Sequence, residues 1–245
     1  MKSFTVAKIG AALGLAALSS GCLTVFPDPK PAPQIFQLEP REHAFASAPK
    51  VEWTISVARP AASRALSGAD LVLREGENRV VYVEGSEWAE PVPDLMQRAL
   101  TASLDRSGKI IAVTPEAGAR ADCELQWDLY AFDVVEHGHR FSARFEASVR
   151  LIEGRRRMIM GSTQVSSKGE AQGDTARAAA AALTQAALAG LDQAGAWALA
   201  QQCEKLPRPP VGPAVPLATR PEAPLAGAPE AVSGARPVLP APPAP

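Results

Sequence analysis

The chain has 245 residues, with 25 Lys and Arg against 26 Asp and Glu and a formal net charge of −1. That balance leaves no basic surplus for binding nucleic acid. Aromatic residues make up only 5%, so a core must be built from Val, Ile, Leu and Ala around a handful of rings.

At the N-terminus, Lys2 and Lys8 precede and flank a short apolar run, Ile9 to Leu18, followed by Ser19-Ser20-Gly21-Cys22. A positive start, an apolar stretch too short to span a bilayer and small residues before a cut site predict a secretory leader over residues 1–21. The cysteine behind Ser20-Gly21 resembles a bacterial lipoprotein signal, with the usual leucine one step further back, at Leu18. The resemblance implies that the Cys22 thiol is lipidated, palmitate included, and becomes the new N-terminus. Three acyl chains, at about 0.8 kcal/mol per buried methylene, make such an anchor permanent. Everything after Cys22 would then lie outside the cytoplasm. Leu23 stands where an aspartate would retain the protein at the inner membrane, which by analogy points to the outer membrane, facing the periplasm. Without residues 1–21, 23 basic side chains face 26 acidic ones.

Alternate prolines in Leu23-Thr-Val-Phe-Pro-Asp-Pro-Lys-Pro-Ala-Pro33 predict an extended, semi-rigid tether over residues 22–33. One domain follows, roughly 34–204. Val51, Trp53, Ile55 and Val57 alternate with polar residues, a half-buried strand that Pro60 ends. Leu71–Leu73 and Val80–Val83 flank Glu75-Gly76-Glu77-Asn78 as a hairpin. Pro91, Pro93 and Asp94 open a helix striped by Leu95, Met96, Ala99, Leu100 and Leu104 and stopped by Gly108. Lys109 to Thr114 reads as a short strand.

Cys123, Leu125, Trp127 and Leu129 then face one way, as do Phe141, Ala143, Phe145, Ala147, Val149 and Leu151, with a turn at Glu136-His137-Gly138-His139 between them. Glu153-Gly154 turns the chain into a third strand, Arg157 to Ser166. Asp174 is expected to cap an Ala-rich helix that runs to about Gln202, faced by Leu183, Ala187, Leu188, Leu191, Ala194 and Ala198. Arg177, Gln185, Asp192 and Gln193 argue against a membrane span there. From Leu206 onward 13 of 40 residues are proline, so residues 205–245 are expected to form a disordered Pro/Ala-rich tail. The order of elements predicts an α+β single domain, a largely antiparallel sheet with two helices packed on it.

Two cysteines remain besides the anchor, Cys123 and Cys203. In an oxidising compartment they could form a disulfide, closing about 80 residues for on the order of 4 kcal/mol. Two buried free thiols are the alternative. Neither has metal-site spacing.

Chemistry is sparse. No Gly-x-Ser-x-Gly, phosphate loop or His-Glu-x-x-His occurs. His137 and His139 do not complete a metal site, and His43 stands alone. Glu84, Glu87 and Glu90 read as solvated carboxylates around a chain reversal beside Trp88. Arg155-Arg156-Arg157 is a basic turn between strands, open to an anionic headgroup or an acidic partner. No catalytic residue, metal site or cofactor is expected, and the chain does not read as an enzyme.

The stretch from Arg79 to Leu95, a valine-rich strand followed by Trp88-Ala89-Glu90-Pro91 and a helix, resembles the ABC-type transport auxiliary lipoprotein family, the PqiC-like proteins. The likeness continues through Ala121–Leu129, Phe132, Arg150-Leu151-Ile152 and the Ala-rich helix. It covers about residues 34–203, although Cys123 replaces a bulkier residue and the tail is extra. The resemblance implies a small sheet with two helices and a non-catalytic lipoprotein. Its implied partners are an MCE-domain protein, with an ABC ATPase and a permease in the same system, moving phospholipids or other hydrophobic molecules between the two membranes. A homo-oligomer is compatible with the resemblance, and no residue fixes its symmetry. Two other readings are a periplasmic lipid-binding carrier and an envelope-assembly scaffold.

Overall fold

The computed structural model describes residues 32–207 except 42, 43, 77 and 139. The expected leader, Cys22, His43, His139 and the tail from residue 208 lie outside the described residues. The strands are β1 (Gln34–Phe36), β2 (Thr54–Val57), β3 (Ala61–Ala62), β4 (Asp70–Glu75), β5 (Arg79–Trp88), β6 (Ile111–Val113), β7 (Cys123–His137), β8 (Arg140–Glu153) and β9 (Ile159–Glu170). The helices are α1 (Val92–Arg106) and α2 (Ala176–Leu199).

Strand β7 is the axis. On one side it pairs antiparallel with β8 from Cys123↔Glu153 to His137↔Arg140, and β8 pairs antiparallel with β9. On its other side, β2, β3 and β4 follow one another along β7 in parallel, at Ile55↔Cys123, Ala61↔Asp128 and Leu73↔Val134. Pro60, which cannot donate to a ladder, falls where this line breaks between β2 and β3. Strand β6 extends β2, and β5 with β1 extends β4. The expectation of a largely antiparallel sheet is corrected: the sheet is mixed, and five of its eight described pairings are parallel. Hairpins leave turn residues in the sequence. Parallel partners separated by a helix leave none.

The apolar stripe of α1 is buried as its spacing predicts. Leu95, Met96, Leu100 and Leu104 are fully enclosed, each contributing about 2 kcal/mol relative to exposure. The second helix works differently. It packs across β8 and β9 through Ala180, Leu183, Ala186, Ala187, Leu191, Ala194 and Ala198. Its small residues let the backbone approach the sheet closely. A Cβ on Gly190 would stand 2.2 Å from the Phe145 ring, and one on Gly169 of β9 would stand 2.2 Å from the Ala182 carbonyl oxygen. The cap is Thr175 rather than Asp174: its hydroxyl accepts from the Ala178 amide at 3.2 Å. The helix ends at Leu199, three residues short of the expected Gln202.

Candidate docking surfaces

Among the described residues no three His, Cys, Asp or Glu side chains gather as a metal site would require. No described helix is long and apolar enough to cross a membrane. An apolar cleft at the start of α2, lined by Leu73, Val83, Val134, Phe141, Thr175 and Ala179, encloses about 130 Å³. That is below the range of about 300–1,000 Å³ typical of small-ligand pockets.

The carboxylates singled out beside Trp88 do not form a group. Glu84 and Glu87 lie on β5, which runs on to Trp88 where a chain reversal was expected, and Glu90 pairs with Arg98 of α1. Trp88 itself is buried between Phe36 and Phe132, with ring centroids 6.3 and 5.3 Å away. Its amide donates to the Ala69 carbonyl at 2.7 Å, and the Val92 amide donates to that of Gly68 at 2.9 Å. Trp88 therefore fixes the angle between β5 and α1, a structural duty.

The sheet face turned away from α2 carries a ladder of ion pairs across β7 and β8. Asp133 is fully buried and accepts from Arg74 at 2.8 Å and Arg144 at 3.2 Å. The bond to Asp133 raises the Arg144 pKa above its ordinary value. Further along, Asp128 pairs with Arg150, and Glu124 with Arg157. Burial is the largest influence on Glu124 and opposes its ionisation, but bonds from Arg157 and Gln126 outweigh it and its pKa is lowered. These arginines are occupied within the fold.

At the β8–β9 hairpin tip the charges are arranged otherwise. Glu153 is buried, and its carboxylate accepts from the backbone amides of Arg155 at 3.0 Å and Arg156 at 2.6 Å. The Glu153 amide donates to the Met158 carbonyl, closing a four-residue loop in which Arg157 adopts a φ of 58°. Arg155 and Arg156 project outward with no ion pair among the described residues. The sequence marks the three arginines; the internal use of Glu153 and Arg157 leaves no such signal.

Cys123 and Cys203 are joined as a disulfide, with Cα atoms 6.3 Å apart. Beside them Asp122 accepts from the Thr54 amide at 2.7 Å, the Thr54 hydroxyl at 2.9 Å and the Leu206 amide at 2.6 Å. The bridge and this carboxylate together fasten the segment after α2 to the start of β7. Asp122 was not distinguishable in the sequence, because an acid before a strand has many solvated uses.

Comparisons with known proteins agree with this architecture. A crystal structure of a Xanthomonas campestris protein assigned to the DUF330 family is 24% identical, with a TM-score of 0.63 over 68% of this chain and 94% of that one. A second solved structure, of an uncharacterised protein, is 16% identical, with a TM-score of 0.52 over 69% of this chain and 97% of that one. At these identities the likeness is one of fold. A search of curated proteins finds no match. Residues 36–194 match the family described as the ABC-type transport auxiliary lipoprotein component. The chain belongs to that family.

Proposed function

We propose that this protein is a non-catalytic, membrane-anchored lipoprotein that serves an MCE-type ABC transporter from the periplasmic face of the outer membrane. In this reading residues 1–21 are removed, Cys22 carries the lipid, residues 22–33 tether the domain of residues 34–204, and 205–245 form a tail. The domain docks the periplasmic MCE subunit, while ATP hydrolysis and permeation belong to the other components. Phospholipids or other hydrophobic molecules pass between the two membranes through that assembly. Family membership over residues 36–194 is the observation that carries this reading.

The carrier reading draws no support from an apolar cleft of about 130 Å³, nor from a helix seated on glycine against the sheet. Affinity capture of the anchored protein at native expression should recover an MCE subunit with its ATPase and permease. Recovery of none, with the protein intact in the membrane fraction, overturns the proposal. Deleting the chain beyond Leu206 should leave this partnership in place; its loss would favour an envelope scaffold working through the tail.

A further inference from the structure

We propose that the β8–β9 hairpin tip rests on an anionic phospholipid surface, with Arg155 and Arg156 at the headgroups and Met158, Ile159 and Met160 in the interfacial layer. The inference rests on the lipid-anchor reading for its geometry.

Three consecutive apolar side chains are exposed here: Met158 by 50%, Ile159 by 64% and Met160 by 43%. A regular strand would turn alternate residues to opposite faces and bury one set. Here Ile152 pairs with Ile159 while Leu151 pairs with Gly161, so Met160 is an extra residue in the ladder. That bulge lies at the start of a free edge, since β9 pairs with β8 alone among the described strands. A run of exposed apolar residues costs solubility unless something receives it.

The charges beside this run are kept available. Neither guanidinium is paired by the acids packed around the turn: Glu153 accepts from the backbone amides of Arg155 and Arg156, Asp122 from Thr54 and Leu206, and Glu124 pairs with Arg157. Arg120, also exposed, shares a shallow cleft with Gly154 and Arg157 and has no ion pair among the described residues. Long flexible apolar side chains next to unpaired guanidinium groups on a narrow convex tip suit a bilayer interface. Both features are those of side chains that sit at a membrane interface, apolar stems in the interfacial layer and charged heads at the headgroups.

Geometry brings the tip within reach. Ten residue steps separate Cys22 from Ala32, which span at most about 35 Å. A domain of this length has a diameter of roughly 40 Å, so the tether keeps it within about one diameter of the leaflet. Strand β1 joins β5, which through β4 lies level with the middle of β7, near Ala131. From there the tip end of β7 is roughly 26 Å away along the strand direction, within the length of the tether.

The test uses the full mature chain carrying Cys22→Ser, so that no acyl chain carries it onto vesicles. It should float with phosphatidylcholine vesicles containing phosphatidylglycerol, weakly with phosphatidylcholine alone, and less as salt rises. The double variant Arg155→Gln/Arg156→Gln should weaken binding on the order of 30-fold. The Lys pair at the same positions should restore most of it, and Met158→Ser/Ile159→Ser/Met160→Ser should abolish it. Unchanged thermal melting of each variant shows that folding is not the cause. Binding of the Cys22→Ser chain indifferent to phosphatidylglycerol, equal binding by its Gln variant, or a tip that cross-links only to a second copy of the chain or to another protein overturns the proposal. Labelled palmitate reports on the anchor separately: if none enters the native protein, the anchor and the function built on it fall, whatever the vesicles show.

Discussion

The β7–β8–β9 sheet has two faces that obey different rules. Toward α2 the face is dry and made of Ala143, Phe145, Ala147, Val149, Val165 and Gly169, packed so closely that two glycine positions have no room for a methyl group. On the opposite face the same strands carry Asp128, Asp133, Arg144 and Arg150, held by pairings that solvent could partly replace, together with the exposed Lys168. Adjacent residues on one strand thus face different physics. On the dry face volume decides tolerance, and on the wet face charge pairing does.

The largest expected effect lies at the end of the dry face, where Cys123 is fully enclosed. The bridge to Cys203 spans a sequence separation of 80. Replacing both cysteines with serine should cost about 4 kcal/mol in the chain-entropy account, or roughly 10 °C of melting temperature for a domain of this size. Reductant should lower the wild-type melt by a similar amount and leave the serine variant unmoved. An equal melt with and without reductant would mean that the bridge contributes nothing to stability.

Next comes a pair of neighbours that separates the faces directly. Gly169→Ala places a methyl 2.2 Å from the Ala182 carbonyl oxygen, so α2 must move. Urea unfolding should show a loss of about 3 kcal/mol. Lys168→Ala, one residue earlier and exposed, should stay within about 0.5 kcal/mol of the parent. Equal losses at the two positions would erase the distinction.

Much of the dry face was legible in the sequence because it repeats. The alternation from Phe141 to Leu151 and the Leu95-Met96-Ala99-Leu100-Leu104 stripe each restate one physical demand several times. The course of β7 was only half legible. Cys123, Leu125, Trp127 and Leu129 point inward, but a bulge at Tyr130 shifts the phase, so that Phe132 and Val134 continue the core face and Asp133 falls on the other. Nothing local marks that slip, because Tyr130 is an ordinary strand residue. The parallel neighbours of β7 were hidden for a related reason: they arrive from distant sequence. Of the candidate surface, Arg155–Arg157 stood out by composition. What leaves two of them unpaired is a hydrogen-bonding role of Glu153 that exists only once the turn has closed.

The wet face has one exception to its tolerance. Asp133 is fully buried while Arg74 and Arg144 are about a third exposed. Asp133→Asn keeps the shape and removes the charge, leaving two guanidinium groups short of their anion. The expected loss is about 2 kcal/mol, less than for a wholly buried pair because water reaches the arginines. Arg150→Ala on the same face should cost about 0.5 kcal/mol. A matching loss at both would show that burial of the acid is irrelevant.

The smallest effect is a difference of sign. Burial raises the pKa of Asp192 on α2, and Arg41, 2.9 Å away, offsets this only in part. The folded state therefore holds the Asp192 proton more tightly than the unfolded chain does. Its contribution to stability is present below the unfolded pKa and is lost as pH rises through the folded one. Glu124 on the wet face is opposite: its lowered pKa gives stability above the unfolded value that is lost as pH falls. Asp192→Asn should accordingly raise stability at neutral pH by less than about 0.5 kcal/mol, with the gain vanishing on acidification. Glu124→Gln should lower stability at neutral pH and converge on the parent in acid. Parallel urea titrations across pH distinguish the two: curves that shift the same way would mean that Arg41 serves Asp192 as fully as Arg157 and Gln126 serve Glu124.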